Sequence, residues 1–314
     1  MSARAGQQRY VYGGLRIDSE LAFTRLTPAA GGEAAPADIE LTLADGAPER
    51  GAQIYQWPGR FEMSLWRAGA DWVFRSAPMG VDVWVAGDGR HVRCFPQGAA
   101  DDPLSEFVIR RVLPRIAPLH GRLTLHAALA QGANGCVMLA GQSGAGKSTL
   151  STALGRMEGW RQLSDDISIL APDGGGVWAS APGAYLTPAS MAGLGFDAGD
   201  GGGDPSHSGK AWFGVGAPAH EPLPIAGLVF LKRRAGVERP QLTPLARGEA
   251  LAALTAQFIR FDPSNRTAEA QLFASFARVI AAIRCYRLEY PSDYAALPAV
   301  AAELRKAGAP AWAA

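Results

Sequence analysis

The sequence predicts an α/β protein in two parts: a β-rich N-terminal module over residues 1–100 and an α/β domain over residues 101–314. Three observations carry that expectation. The first hundred residues fall into short segments rich in Val, Tyr, Trp and Phe, divided by Gly, Pro or Asp, which is the pattern of strands and hairpins. Beyond residue 101, runs with helical apolar spacing alternate with extended runs, the order that builds a three-layer α/β core. Within that second part, an apolar strand runs into the glycine-rich stretch GQSGAGKS and then into a helix.

Each element follows from its local pattern. "RYVYGGLRI", "ADIELTLA", "FEMSLWRAG", "DWVFRSA", "VDVWVAGDG" and "HVRCFPQ" read as strands. "WRAGADWVF" and "WVAGDGRHVRCF" read as hairpins, and residues 29–38 as a loop. Such a module is either a folding unit without chemistry or a lid or docking surface. Leu104, Phe107, Val108, Val112 and Leu113 recur at helical spacing, with a break expected at Pro114. The boundary between the parts is expected between about residues 98 and 120. "RLTLHAALAQ" reads as one strand, "CVMLA" as a buried strand, residues from about 147 to 157 as a helix, and "RQLSDDISIL" as extended. "AGLVFLKRR" and "RCYRLEY" read as strands, "RGEALAALTAQFI" and "TAEAQLFASFARVIAAI" as helices. The Gly/Ser/Asp-rich segment from about Phe196, which carries Lys210, is a surface insertion or a mobile flap. The basic run at residues 231–234 reads as a solvated turn, or as a contact for an acidic substrate.

Composition narrows the function classes. With 30 basic and 29 acidic residues the net charge is +1, which gives no basis for binding nucleic acid or an acidic membrane. Cys94, Cys136 and Cys285 are odd in number and lack metal-ligand spacing, so a reducing cytoplasm is expected. The N-terminal residues lack the apolar core of a signal peptide, and no segment has the continuous apolarity of a membrane helix.

Residues 141–148 fit G-x-x-x-x-G-K-[ST] at every fixed position, after a strand and before a helix, the context this motif requires. Glycines allow backbone N–H groups to close around phosphate oxygens, and the helix N-terminus adds partial positive charge. Gly141, Gln142, Ser143, Gly144, Ala145, Gly146, Lys147, Ser148 and Thr149 are therefore the expected nucleotide-binding set. Lys147 is placed to bridge the β- and γ-phosphates, and Ser148 to hold Mg²⁺. Asp165 and Asp166 follow Lys147 by only eighteen and nineteen residues. A bend there would let one carboxylate face the metal and the other an incoming hydroxyl, although Ser-Asp-Asp also suits an ordinary turn. His126 lies fifteen residues before Gly141 and shares a strand face with Thr124 in the expected alternation. A lone strand histidine is more often structural than catalytic, but its spacing to the loop makes it a candidate.

The histidine, the loop and the double aspartate, in "LHAALAQGANGCVMLAGQSGAGKSTLSTALGRMEGWRQLSDDISIL", resemble the core of the HPr serine kinase/phosphorylase superfamily. "YVYGGLRIDSELAF", "APGAYLTPASMAGLG" and "YRLEYPSDYAAL" resemble segments of its smaller HPr-kinase-like relatives, so the likeness spans most of the chain. The resemblance implies an HPr-kinase-like P-loop core, with ATP and Mg²⁺ as its small-molecule requirements. It implies Asp165 as general base on the acceptor hydroxyl, Asp166 as a group organising either Mg²⁺, together with Ser148, or the same hydroxyl, and His126 as a hydrogen-bond partner that tunes the charge of the pair. With Lys147 these are the expected catalytic residues. Some relatives phosphorylate a serine of a ribosomal precursor peptide, so the implied partner is a protein or peptide acceptor, and a homo-oligomer remains open. In "SMAGLGF", Ser190 and Ala192 stand where the bifunctional enzymes carry a glutamate and an arginine, which implies a dedicated kinase. A small-molecule kinase on the same core, or a nucleotide-dependent scaffold with weak hydrolysis, are the alternatives.

Overall fold

The computed structural model describes residues 7–29, 35–57, 62–97, 101–196, 204–205, 209–215 and 221–308. The protein is a mixed α/β chain that divides into two compact units. Met1–Arg122 and Arg260–Leu272 form the first, Leu123–Ile259 and Phe273–Ala314 the second. Among the described residues no helix is long and apolar enough to cross a membrane.

Among the described residues, the first unit forms a nine-stranded sheet. Its strands are β1 (Gln8–Tyr12), β2 (Leu15–Ser19), β3 (Thr27–Pro28), β4 (Ile39–Leu43), β5 (Gln53–Trp57), β6 (Met63–Ala68), β7 (Asp71–Ser76), β8 (Val81–Val85) and β9 (His91–Phe95). They lie in the order β3-β1-β2-β4-β9-β8-β7-β6-β5, and only β2–β4 and β4–β9 are parallel. Tyr10, Tyr12, Ile17, Leu41, Leu65 and Val83 are buried along it.

The unit does not end at residue 100. The helical run from α1 (Asp101–Phe107) belongs to it, because Leu104, Phe107, Val112 and Ile116 are fully buried and the Tyr12 hydroxyl donates to the Ile109 carbonyl. Buried Arg25 holds Glu106 and Asp102 at 3.3 and 3.0 Å. Nor does the run break at Pro114. It widens into a π turn over Val108–Val112 and resumes as α2 (Leu113–Ile116). Pro114 has no N–H to give, and the Ile109 carbonyl five residues before it takes the Tyr12 hydroxyl instead. Residues 260–272 return to this unit because the Phe261 ring meets Trp72 and Phe74 edge-on, at 4.7 and 5.6 Å.

Among the described residues, the second unit holds two sheets. Its elements are β10 (Leu123–Leu125), β11 (Ala127–Gly132), β12 (Gly135–Ala140), α3 (Lys147–Gly155), β13 (Arg161–Ser164), β14 (Ser168–Leu170), β15 (Val177–Ala179), β16 (Gly183–Leu186), α4 (Pro188–Gly193), β17 (Asp204–Pro205), β18 (Ala211–Gly214), β19 (Ile225–Arg233), β20 (Gln241–Pro244), α5 (Arg247–Thr255), the later part of α6 (Arg266–Ala282), β21 (Cys285–Tyr290) and α7 (Leu297–Leu304). The large sheet runs β17-β18-β16-β13-β11-β12-β19-β21-β20, and the small one β10-β14-β15. At its centre β12, β19 and β21 are parallel. Val137, Leu139, Val229 and Leu288 on one face pack with Leu150 and Leu154 of α3 and Val300 and Leu304 of α7. Cys136, Met138 and Leu228 on the other face are buried too, as the middle of a parallel arrangement requires.

The decisive feature for the site is a double corner. "RLTLHAALAQ" is not one strand. It leaves the small sheet as β10, turns at His126 and enters the large sheet as β11. Thr124 is buried while His126 is half-exposed, so the two do not share a face in one continuous strand. The turn is fixed from a distance: the His126 N–H donates to the Gln257 carbonyl, and Leu125 bridges Phe258. The neighbouring strand makes the same transfer in reverse, from β13 in the large sheet to β14 in the small one. Its corner is residues 165–167. Leu125 pairs with Ser168 and Leu129 with Ser164, so the two corners face each other.

Candidate functional site

The glycine-rich loop joins β12 to α3. Gly146 caps the helix with φ 96°, a left-handed angle that favours glycine. A Cβ there would lie 2.6 Å from both Arg233 Nη2 and Tyr290 Oη, so shape and backbone both exclude a side chain. Tyr290 donates its hydroxyl to the Ala145 carbonyl at 2.6 Å. Burial raises the Tyr290 phenol above its ordinary value, opposed by the hydrogen bond from Arg233. The ends of β19 and β21 thus hold the second half of the loop. Gln142, Ser143 and Gly144 at its tip are exposed, and Ser148 is half-buried. Thr149 is buried with its hydroxyl 2.9 Å from that of Ser190.

Lys147 is 7% exposed. Its ammonium donates to the carbonyls of Gly141 at 2.9 Å and Gln142 at 3.5 Å. Burial lowers its pKa from the ordinary lysine value; Asp166 opposes the shift, Lys210 adds to it, and Asp165 opposes it. Two carboxylates and a second cation therefore act on the lysine of the loop. Part of the segment after Phe196 is strand β18, paired with β16, and Lys210 immediately precedes it. Residues 197–203, 206–208 and 216–220 of that segment lie outside the described residues.

The corner gives the two aspartates different surroundings. Asp165 is 4% exposed and accepts the Tyr185 N–H at 2.8 Å. Asp166 turns the other way, its Oδ1 lying 3.1 Å from Nδ1 of His126, with the two side chains 18% and 44% exposed. A carboxylate is acceptor-only, so Nδ1 carries the hydrogen in that contact. The Ser164 hydroxyl closes the corner on the Ile167 carbonyl at 3.0 Å.

Gln257 ties the histidine corner to the loop. It is buried, and with its amide nitrogen turned toward them it donates to the carbonyls of His126 and Gly141, 3.2 Å each. Gln257 carries no motif by which sequence could have found it; Tyr185 lies in the segment APGAYLTPASMAGLG, but it acts through its backbone N–H, which no side-chain pattern reports. The structure thus brings Lys147, Asp165, Asp166 and His126 to one end of the glycine loop.

Among the described residues no three His, Cys, Asp or Glu side chains gather as a metal-ligand cluster. The oxygens at hand are the Ser148 hydroxyl and the two aspartate carboxylates. Mg²⁺ keeps waters and takes substrate phosphate oxygens, so it needs only one or two protein carboxylates. This donor set could hold it. Set against protein-family models and against curated proteins, the chain matches none.

Proposed function

We propose that the second unit is an ATP- and Mg²⁺-dependent kinase of the HPr-kinase-like type, acting on a serine hydroxyl of a protein or peptide. The observation that supports it most strongly is the Asp166–His126 pair at 3.1 Å beside the buried lysine of a glycine loop. A nucleotide-binding scaffold has no use for a second carboxylate, largely buried but accessible, oriented by a half-exposed histidine. The exposure of His126 favours a bulky acceptor over a small molecule enclosed in a pocket.

In this reading the loop N–H groups and Lys147 bind the triphosphate, and the protein contributes positioning and charge stabilisation. Mg²⁺, when bound, neutralises charge developing on the β- and γ-phosphates. The resemblance implies Asp165 as base and Asp166 as metal ligand; the two environments favour the reverse. Asp165 is buried and fixed by a backbone N–H, as metal-binding carboxylates are. Asp166 is reachable, and His126 orients it. The acceptor hydroxyl gives its proton to Asp166 as its oxygen bonds to the γ-phosphorus and the bond to the β-phosphate oxygen breaks, leaving ADP.

The test is transfer of label from γ-labelled ATP to a serine-peptide library, with label released as inorganic phosphate measured in parallel. Release at one rate with and without acceptors, and no labelled peptide, would replace the kinase by a weak hydrolase or scaffold. Within the same assay His126→Ala is expected to slow transfer between about tenfold and a hundredfold, the loss of a hydrogen bond to a charged group. His126→Gln, which can still donate, should recover part of it. A fully active alanine variant would make His126 a structural corner residue.

A further inference from the structure

A triphosphate seated on the glycine loop has two ends. Lys147, Asp165, Asp166 and His126 gather where the γ-phosphate would lie. The nucleoside must leave on the other side. There a shallow recess, open to solvent, lies against Gly146, Thr149 and Leu150. Its outer wall is Arg233, at the end of β19, Tyr290, at the end of β21, and residues 291–294 after it, with Leu297 as an apolar neighbour. None of the four residues at the γ end lines it.

We propose that this recess takes the nucleoside of the nucleotide, with the Tyr294 ring as the surface on which the base stacks and Arg233 as the cation beside the α-phosphate. The proposal rests on the nucleotide reading above and extends it to a subsite. Tyr294 is a large ring left 39% exposed, yet it is firmly held. Its hydroxyl donates to the Ala189 carbonyl at 3.2 Å, and its ring lies so close over Gly193 that a Cβ there would collide with it. Asp293 caps the same turn by accepting the Ala295 N–H at 2.9 Å. A fixed, half-exposed aromatic is what base stacking needs, since little freedom is lost on binding. Arg233 differs from its neighbours. Lys232 and Arg234 share Glu289 at 3.3 and 3.0 Å, whereas Arg233 makes no ion pair among the described residues. Its guanidinium lies against the loop at Gly146, where a cation without a carboxylate suits a phosphate.

The experiment measures the affinities of ATP and of inorganic tripolyphosphate for the whole chain by calorimetry. The parent should bind ATP more tightly than tripolyphosphate. Tyr294→Ala should weaken ATP between about fivefold and a hundredfold, the range for losing one base–aromatic stack, and leave tripolyphosphate unchanged. The retained tripolyphosphate affinity also reports that the variant folds. Tyr294→Trp should restore ATP affinity. If Tyr294→Ala binds ATP like the parent, or if the parent does not distinguish the two ligands, the recess is not a nucleoside site while the loop reading stands. If the parent binds neither, both readings fall together.

Discussion

Asp166→Asn is expected to abolish phosphoryl transfer by about a hundredfold to ten-thousandfold, the usual contribution of a positioned general base, while ATP affinity changes by less than about threefold. The asparagine keeps the shape and can still accept the hydrogen of His126 Nδ1, so the 3.1 Å contact survives as a neutral one. What disappears is the group that can take a proton. Asp165→Asn should behave differently. Its side-chain oxygen can still accept the Tyr185 N–H, so the corner should hold. The loss of a buried charge should instead raise the Mg²⁺ concentration needed for half-maximal rate. Transfer rates across a Mg²⁺ titration, with circular dichroism of both variants, separate the two roles. If Asp165→Asn collapses at saturating Mg²⁺ and Asp166→Asn shifts only the Mg²⁺ requirement, the assignment implied by the family resemblance is the correct one. If both folded variants keep the parent's rate, the base lies elsewhere and the double corner is structural.

The glycine loop was legible in the sequence because its chemistry is local. Fixed glycine positions, one lysine and one serine between a strand and a helix define it within a few residues. The long helices α5 and α6 and strands β19 and β21 were legible for the same reason. The corner at His126 was not. Apolar alternation continues through Leu125, His126 and Ala127, and nothing local shows that the chain changes sheets. The cause is Gln257 and Phe258, more than a hundred residues away. Pro114 misled because a π turn ahead of it makes room that a regular helix lacks. The short strands β5, β16 and β20 and the helices α4 and α7 carry no such local signal; segments of four to eight residues next to Gly or Pro have too little periodicity. One missed signal was readable. The run at residues 231–234 ends the expected strand AGLVFLKRR, and reading its charges together as a solvated turn or an acidic-substrate contact hides a division between them. Continued as a strand, its alternation puts Lys232 and Arg234 on one face and Arg233 on the other, which is how they divide between Glu289 and the loop.

The second large effect is expected at Lys147. Lys147→Ala should lower kcat/KM for ATP by at least about a hundredfold, the scale of removing one preorganised contact to transition-state charge, about 2.7–4 kcal/mol. The structure explains why the loss should not be shared by stability. The ammonium is buried and its charged form is disfavoured there, so its removal relieves a desolvation cost. The bonds given up are those to the Gly141 and Gln142 carbonyls, and Gln257 can still donate to the first of them. The alanine variant is therefore expected to melt within a few degrees of the parent. Lys147→Arg should rescue little, because a planar guanidinium does not fit a site shaped for a compact ammonium. Steady-state kinetics with ATP, set beside thermal melts of the parent and both variants, check the two halves. Near-parental turnover in a folded Lys147→Ala would remove the lysine from the chemistry and with it the phosphate-binding reading of the loop. A large fall in melting temperature with turnover lost in proportion would make Lys147 a packing residue whose bonds hold the loop shut.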